Sequence, residues 1–257
     1  MYSVKTARVL IPIPAYGFDP SETSIPWKTL SAKGYRVVFA TPKGDAAAAD
    51  EIMLTGKSLG VLKGLLAARS DAVLAYREME QDAEYRNPVS YADLGAEDFT
   101  GLFLPGGHDK GVREYLESET LQNLVVAFIT SGKAVGAICH GVLLAARSKD
   151  PVSGGSVLRG FKVTSLLKFQ ELAAWRLTRL WLGDYYLTYP GTTVEDEVRS
   201  LLAPDGSFLR GPLPLWRDSP ERLQRGFSVR HGRLITARWP GDVYNVSLGF
   251  ASMLDEA

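Results

Sequence analysis

The sequence predicts an α/β fold, a parallel sheet sandwiched by helices, on three observations. Runs rich in Val, Ile, Leu and Phe at 7–13, 35–40, 99–104 and 134–138 lack the alternation of a half-exposed strand, as expected where both faces are buried. Helical patterns lie between or after them, and strand–helix–strand units joined by short connections imply right-handed parallel crossovers. With 257 residues, 46% of them hydrophobic, the chain can bury a large core. The expectation is one domain over 1–257, with a helical insertion at about 45–95.

The first strand ends in the turn residues 14–20, and Ser21 can cap a helix whose apolar face is Trp27, Leu30 and Ala32, closed by Gly34. Glu22 lies in its first turn, where dipole complementarity alone accounts for an acid. After the strand at 35–40, the patterns at 59–68 and 71–83 read as helices, broken by Asn87-Pro88. An amphipathic crossover helix at 121–131 leads into the strand at 134–138. Beyond it come a short strand at 161–164, a helix at 167–180 carrying Gln170 and Glu171, and a capped helix at 192–201. A hairpin joins 227–230 to 234–238 through His231-Gly232, and a helix at 243–254 ends the chain. The aromatic group Trp175, Trp181, Tyr185, Tyr186 and Tyr189 reads as core or as contact with a second copy.

Formal net charge is +0, which gives no field to recruit nucleic acid or an anionic membrane. A single cysteine excludes an intramolecular disulfide framework and fits a reducing compartment. The stretch 1–10 is too quickly broken by Pro12 for a signal or membrane segment, so the expected setting is the cytoplasm. Three histidines without ligand spacing argue against a metal site, and no cofactor motif is present.

Chemistry concentrates at Gly136-Ala137-Ile138-Cys139-His140-Gly141. A buried strand runs into a helix opening at Gly141, so Cys139 falls on a sharp strand-to-helix turn of the nucleophile-elbow kind. The helix N-terminus behind it favours thiolate over thiol. The competing reading is a small inert thiol packed in the core. At the end of the strand at 99–104, Pro105-Gly106-Gly107-His108 lets backbone N–H groups approach developing negative charge. The side chains of His108 and His231 read as structural.

Glu22 after the first strand, Pro105-Gly106-Gly107-His108 after a middle strand and Ala137-Ile138-Cys139-His140-Gly141 at an elbow together resemble the ThiJ/PfpI superfamily. That superfamily has flavodoxin-like architecture and is related to class I glutamine amidotransferase domains. The Cys-His pair and the length are most like its heat-shock chaperone and glyoxalase III branch. The resemblance implies Cys139 as nucleophile, Glu22 as the carboxyl bonded to its sulfur, and His140 completing the site. It also implies Glu171 as the acid orienting His140, with backbone N–H groups around Gly106, Gly107, His108 and His140 holding an oxyanion. It further implies a homodimer and a cofactor-independent enzyme converting a small-molecule 2-oxoaldehyde to a 2-hydroxy acid. The alternatives are a hydrolase of C–N bonds and a stress holdase or cysteine redox sensor. Trp239-Pro240-Gly241-Asp242 and the Trp/Tyr-rich stretch 175–189 depart from that branch and leave the substrate open.

Overall fold

The structure, a computed structural model, describes residues 7–204 and 206–256. The first six residues of the stretch read above against a leader lie outside them.

The central sheet contains β1 (Arg8–Pro12), β2 (Arg36–Thr41), β3 (Val89–Ser90), β4 (Gly101–Leu104), β5 (Ala134–Ile138), β6 (Ser228–His231) and β7 (Leu234–Ala237). Their spatial order is β6, β7, β5, β4, β1, β2, β3. Every neighbouring pair is parallel except β6 with β7. The predicted hairpin therefore extends the sheet: β7 lies beside β5, with Ala237 opposite Ile138.

The strands read as unbroken apolar runs because each face of the sheet carries its own core. Val9, Ile11, Val37 and Phe39 face one layer, with α1 (Pro20–Ala32), α2 (Ser70–Met79) and α7 (Val243–Asp255). Leu10, Val38, Leu102 and Leu104 face the other, with α3 (Glu119–Thr130), α4 (Gly141–Arg147) and α6 (Val194–Leu201). Phe250 of α7 is fully buried and meets Phe103 edge-on at 5.4 Å. Truncating such a ring costs about 3–5 kcal/mol.

Several expectations are corrected. Asp19, not Ser21, caps α1, accepting from the N–H groups of Ser21 and Glu22 at 2.7 and 3.0 Å. Pro20 is the reason: it lacks an N–H and suits the first helical position, which moves the cap two residues earlier, to Asp19. Ala32 is exposed, whereas Trp27 and Leu30 are buried. The pattern at 59–68 forms only a 3₁₀ turn (Gly60–Leu62) and one α turn (Lys63–Leu66), since two glycines weaken the helix. Lys162–Val163 pairs with Ser207–Phe208 outside the main sheet. The helix expected at 167–180 is α5 (Lys168–Leu182). Among the described residues, no helix is long and apolar enough to cross a membrane.

Candidate active site

Parallel strands place their carboxyl ends on one edge, so the loops after β1, β4, β5 and β7 converge there. Cys139 follows β5 directly and adopts φ +57°, left-handed for a residue with a Cβ. That conformation costs roughly 1–2 kcal/mol and persists because its surroundings fix it. Its own N–H is tied to Ala237 O at 3.1 Å. A Cβ on Gly141 would stand 2.1 Å from Leu104 O, so only glycine lets α4 begin against the end of β4. This contact brings the elbow onto the Pro105–His108 loop.

Gly106 is the meeting point. A Cβ there would fall 2.7 Å from Glu22 Oε2, 2.7 Å from His140 N and 2.9 Å from Cys139 Cβ, so any side chain would displace the site. Its N–H donates to Glu22 Oε2 at 2.9 Å. This commitment removes Gly106 from the expected oxyanion donors; the N–H of Gly107 has no protein acceptor among the described residues, whereas the N–H of His140 is directed at the Cys139 sulfur. Glu22 is fully buried, and its Oε1 has no protein hydrogen-bond partner.

Burial pushes the Glu22 carboxyl well above the usual range, and the negative charge of Asp19 pushes it further. The Cys139 thiol is also pushed well up, first by burial and then by the charges of Glu22 and Asp19. The thiolate expected from the helix N-terminus is therefore opposed: α4 has one short apolar turn after another, and desolvation outweighs its dipole. Burial holds His140 neutral, at a pKa of about 3. The shifts favour the thiol of Cys139, the neutral imidazole of His140 and the protonated carboxyl group of Glu22.

The tautomer of that imidazole follows from its neighbours. Thr188 donates its hydroxyl proton to His108 O at 2.7 Å, so its oxygen is left to accept from His140 Nε2 at 3.0 Å. The proton thus sits on Nε2, and the Nδ1 lone pair faces Cys139 Sγ at 3.4 Å. Arg113 holds Thr188 in turn, its Nε donating to Thr188 O at 2.9 Å. Glu171 does not meet His140. Its Oε2 accepts from Val194 N at 3.0 Å at the start of α6, because the register of α5 turns it toward that helix end. Burial raises this carboxyl to about 7. It still lines the cleft.

The cleft above Cys139 has a volume of about 250 Å³. Asp19, Glu22, Gly107, His108 and Glu171 line its floor and sides together with Tyr186, Arg217 and Trp239. Met53, Leu65 and Leu66 form one wall, so the 45–95 segment does cover one side of the site. The His108 side chain, read as structural, lines the cleft: it stacks on Tyr186 at 4.5 Å with its Nε2 unpartnered, and burial lowers it to about 4. His231 stays remote, accepting from Lys162 N at 3.0 Å. Tyr186, read as core or contact, is a cleft residue. Asp19, Thr188, Arg217 and Trp239 were not foreseen as site residues; no spacing signal marks the last three, which lie in irregular segments.

Comparison with known proteins bears on the family and the fold. An uncharacterised protein of Schizosaccharomyces pombe is 30% identical over 127 residues, 49% of this chain and 46% of that one. Glyoxalase 3 of Candida albicans is 23% identical over 146 residues, 57% of this chain and 58% of that one. The chain thus spans only about half the length of these curated relatives, between 46% and 58%. The crystal structure of glyoxalase III from Candida albicans shares the fold, with a TM-score of 0.67 at 18% identity, covering 96% of this chain and 97% of that one. Residues 13–199 match the ThiJ/PfpI family-like description, and the chain belongs to that family.

Proposed function

We propose that the protein is a cofactor-independent enzyme that converts a 2-oxoaldehyde to a 2-hydroxy acid. The observation that carries this reading is the buried trio at Gly106: a thiol, an imidazole whose lone pair faces the sulfur, and a carboxyl group held protonated. The kinship with a glyoxalase supports it.

The protonation states suit the steps. Sγ bonds to the aldehyde carbon as its proton passes to His140 Nδ1 and the Glu22 proton passes to the carbonyl oxygen, giving a hemithioacetal. Glu22, now ionised, takes the hydrogen of that carbon, and His140 protonates the adjacent oxygen to leave an enediol. Glu22 then delivers its proton to the adjacent carbon while His140 takes the hydroxyl proton, leaving a thioester of the 2-hydroxy acid. Water cleaves the C–S bond, and the acid leaves with the thiol, imidazole and carboxyl group restored. One carbon is oxidised and its neighbour reduced, so no external redox partner is needed. The N–H group of Gly107 is available to the oxyanion of each addition. A thiol with a raised pKa, only 6% exposed, fits this assisted attack better than a peroxide sensor, which needs an accessible thiolate.

The test is lactate formation from methylglyoxal with and without glutathione. The expected result is lactate without glutathione, abolished by Cys139→Ala; no lactate from the wild type, or full activity in the variant, overturns the reading.

A further inference from the structure

The chemistry proposed above uses Cys139, His140 and Glu22 but leaves one side of the cleft without a task. That side holds a cation. Arg217 lines the cavity, spends one N–H on Leu65 O at 3.1 Å, and lies with its guanidinium carbon 5.3 Å from the centre of the Trp239 ring. It makes no ion pair with any described residue. The charges that face it are Asp19, Glu22, Asp71 and Arg69. Asp19 is engaged in capping α1, and Glu22 is bonded to Gly106. Beside Arg217, the Trp239 indole N–H is buried without a protein acceptor. A buried donor left unpaired costs about 1–3 kcal/mol.

The pair is firmly held. Arg238, itself fully buried, grips Asp242 through Nε to Oδ2 at 2.8 Å and Nη2 to Oδ1 at 2.9 Å, and donates to Pro212 O at 2.6 Å. Asp218, next to Arg217, receives Asn245 N at 2.7 Å, and its own N–H donates to Gly241 O at 2.8 Å. The loop carrying the cation is thus bolted to the turn carrying the indole. The cleft is also lined by the apolar side chains of Leu65, Leu66, Phe169, Leu177 and Leu215, alongside the acids Asp19, Glu22 and Glu171. Phe169, Leu177 and Leu215 remain 48%, 48% and 72% exposed at the rim. The volume of about 250 Å³ exceeds what a three-carbon dicarbonyl requires.

We propose that Arg217, beside the Trp239 ring, binds an anionic group of the substrate, so that the cleft takes an apolar compound bearing a carboxylate as well as the electrophilic carbon attacked by Cys139. Arginine suits the task because its planar fork pairs with a carboxylate through two parallel hydrogen bonds. The apolar side chains accept an aryl or branched alkyl body. This assignment rests on reading the cleft as the substrate site of Cys139, and its test is chosen to be independent of turnover.

Calorimetric titration with 3-phenylpropionate and with its neutral counterpart 3-phenylpropionamide measures recognition without chemistry. The wild type is expected to prefer the carboxylate by roughly tenfold, about 1.4 kcal/mol, the scale of one charge-assisted hydrogen bond. Arg217→Gln brings the ratio to near one while leaving the amide affinity unchanged, and Arg217→Lys falls between. Bound carboxylate also slows alkylation of Cys139 by iodoacetamide in the wild type. A ratio near one in the wild type, a preference kept by Arg217→Gln, or carboxylate binding that leaves Cys139 unprotected overturns the assignment. Failure of methylglyoxal turnover touches only the reaction, because the binding ratio stands apart from it.

Discussion

Thr188 offers the sharpest test of how the imidazole is set. Thr188→Val is nearly isosteric but removes both the proton given to His108 O and the oxygen that receives His140 Nε2. Two buried polar groups lose their partner, so the fold loses roughly 2–6 kcal/mol at 1–3 kcal/mol per orphaned group. The bond that fixes the Nε2–H tautomer contributes about 1.5 kcal/mol, so its loss lowers, about tenfold, the ratio of the His140 fraction presenting a lone pair to Sγ to the fraction presenting Nδ1–H. Alkylation of Cys139 by iodoacetamide, followed by mass spectrometry at constant pH, reads that fraction, and nitrogen-15 shifts of the imidazole report the tautomer directly. Thr188→Ser keeps the hydroxyl and retains a rate within about threefold of wild type. A folded Thr188→Val protein that alkylates at the wild-type rate, with the proton still on Nε2, would refute the reasoning.

Three further outcomes follow from the same geometry. Glu22→Gln keeps an oxygen for Gly106 N but has no proton to relay, so turnover falls by roughly a hundredfold or more while the melting temperature stays near wild type or rises, checked by parallel kinetics and calorimetry. The buried Glu171 carboxyl, raised from 4.5 to about 7, favours the folded state while protonated. Its contribution is complete below pH 4.5 and lost as pH climbs through 7, amounting to about 3 kcal/mol at most. Urea titrations at pH 5 and pH 8 should show Glu171→Gln abolishing that share of the decline; an identical decline in both proteins would contradict it. At position 139, glycine should be more stable than alanine by about 1 kcal/mol, the reverse of the ordinary order, because the backbone there is left-handed.

The sheet was legible because each strand is buried on both faces and so reads as an uninterrupted apolar run. The elbow was legible for a local reason, since small residues flank Cys139 and glycine opens the helix. What escaped was contributed by irregular segments. Thr188 reaches His140 from the loop after α5, where no period places it, and Arg217 comes from the loop ahead of β6. Glu171 shows the limit of matching by position: the residue lies on the expected helix and lines the cleft, yet the turn of that helix spends its carboxylate on α6. The two departures noted in the sequence, at Trp239 and in the Tyr-rich stretch, both prove to line the cavity. The thiolate was misjudged because a helix dipole can be read from a strand-to-helix boundary, whereas the desolvation that overrides it depends on every chain segment packed around the sulfur.

The central claim is that Cys139 forms the bond to substrate and Glu22 moves the proton that follows. Rapid quenching of wild type and Glu22→Gln with phenylglyoxal, followed by intact-protein and peptide mass measurement, tests both halves at once. A substrate-sized mass gain confined to Cys139 is predicted, transient in the wild type and persistent in Glu22→Gln. Adducts on other residues, or release of mandelate by Glu22→Gln at the wild-type rate, would contradict the account.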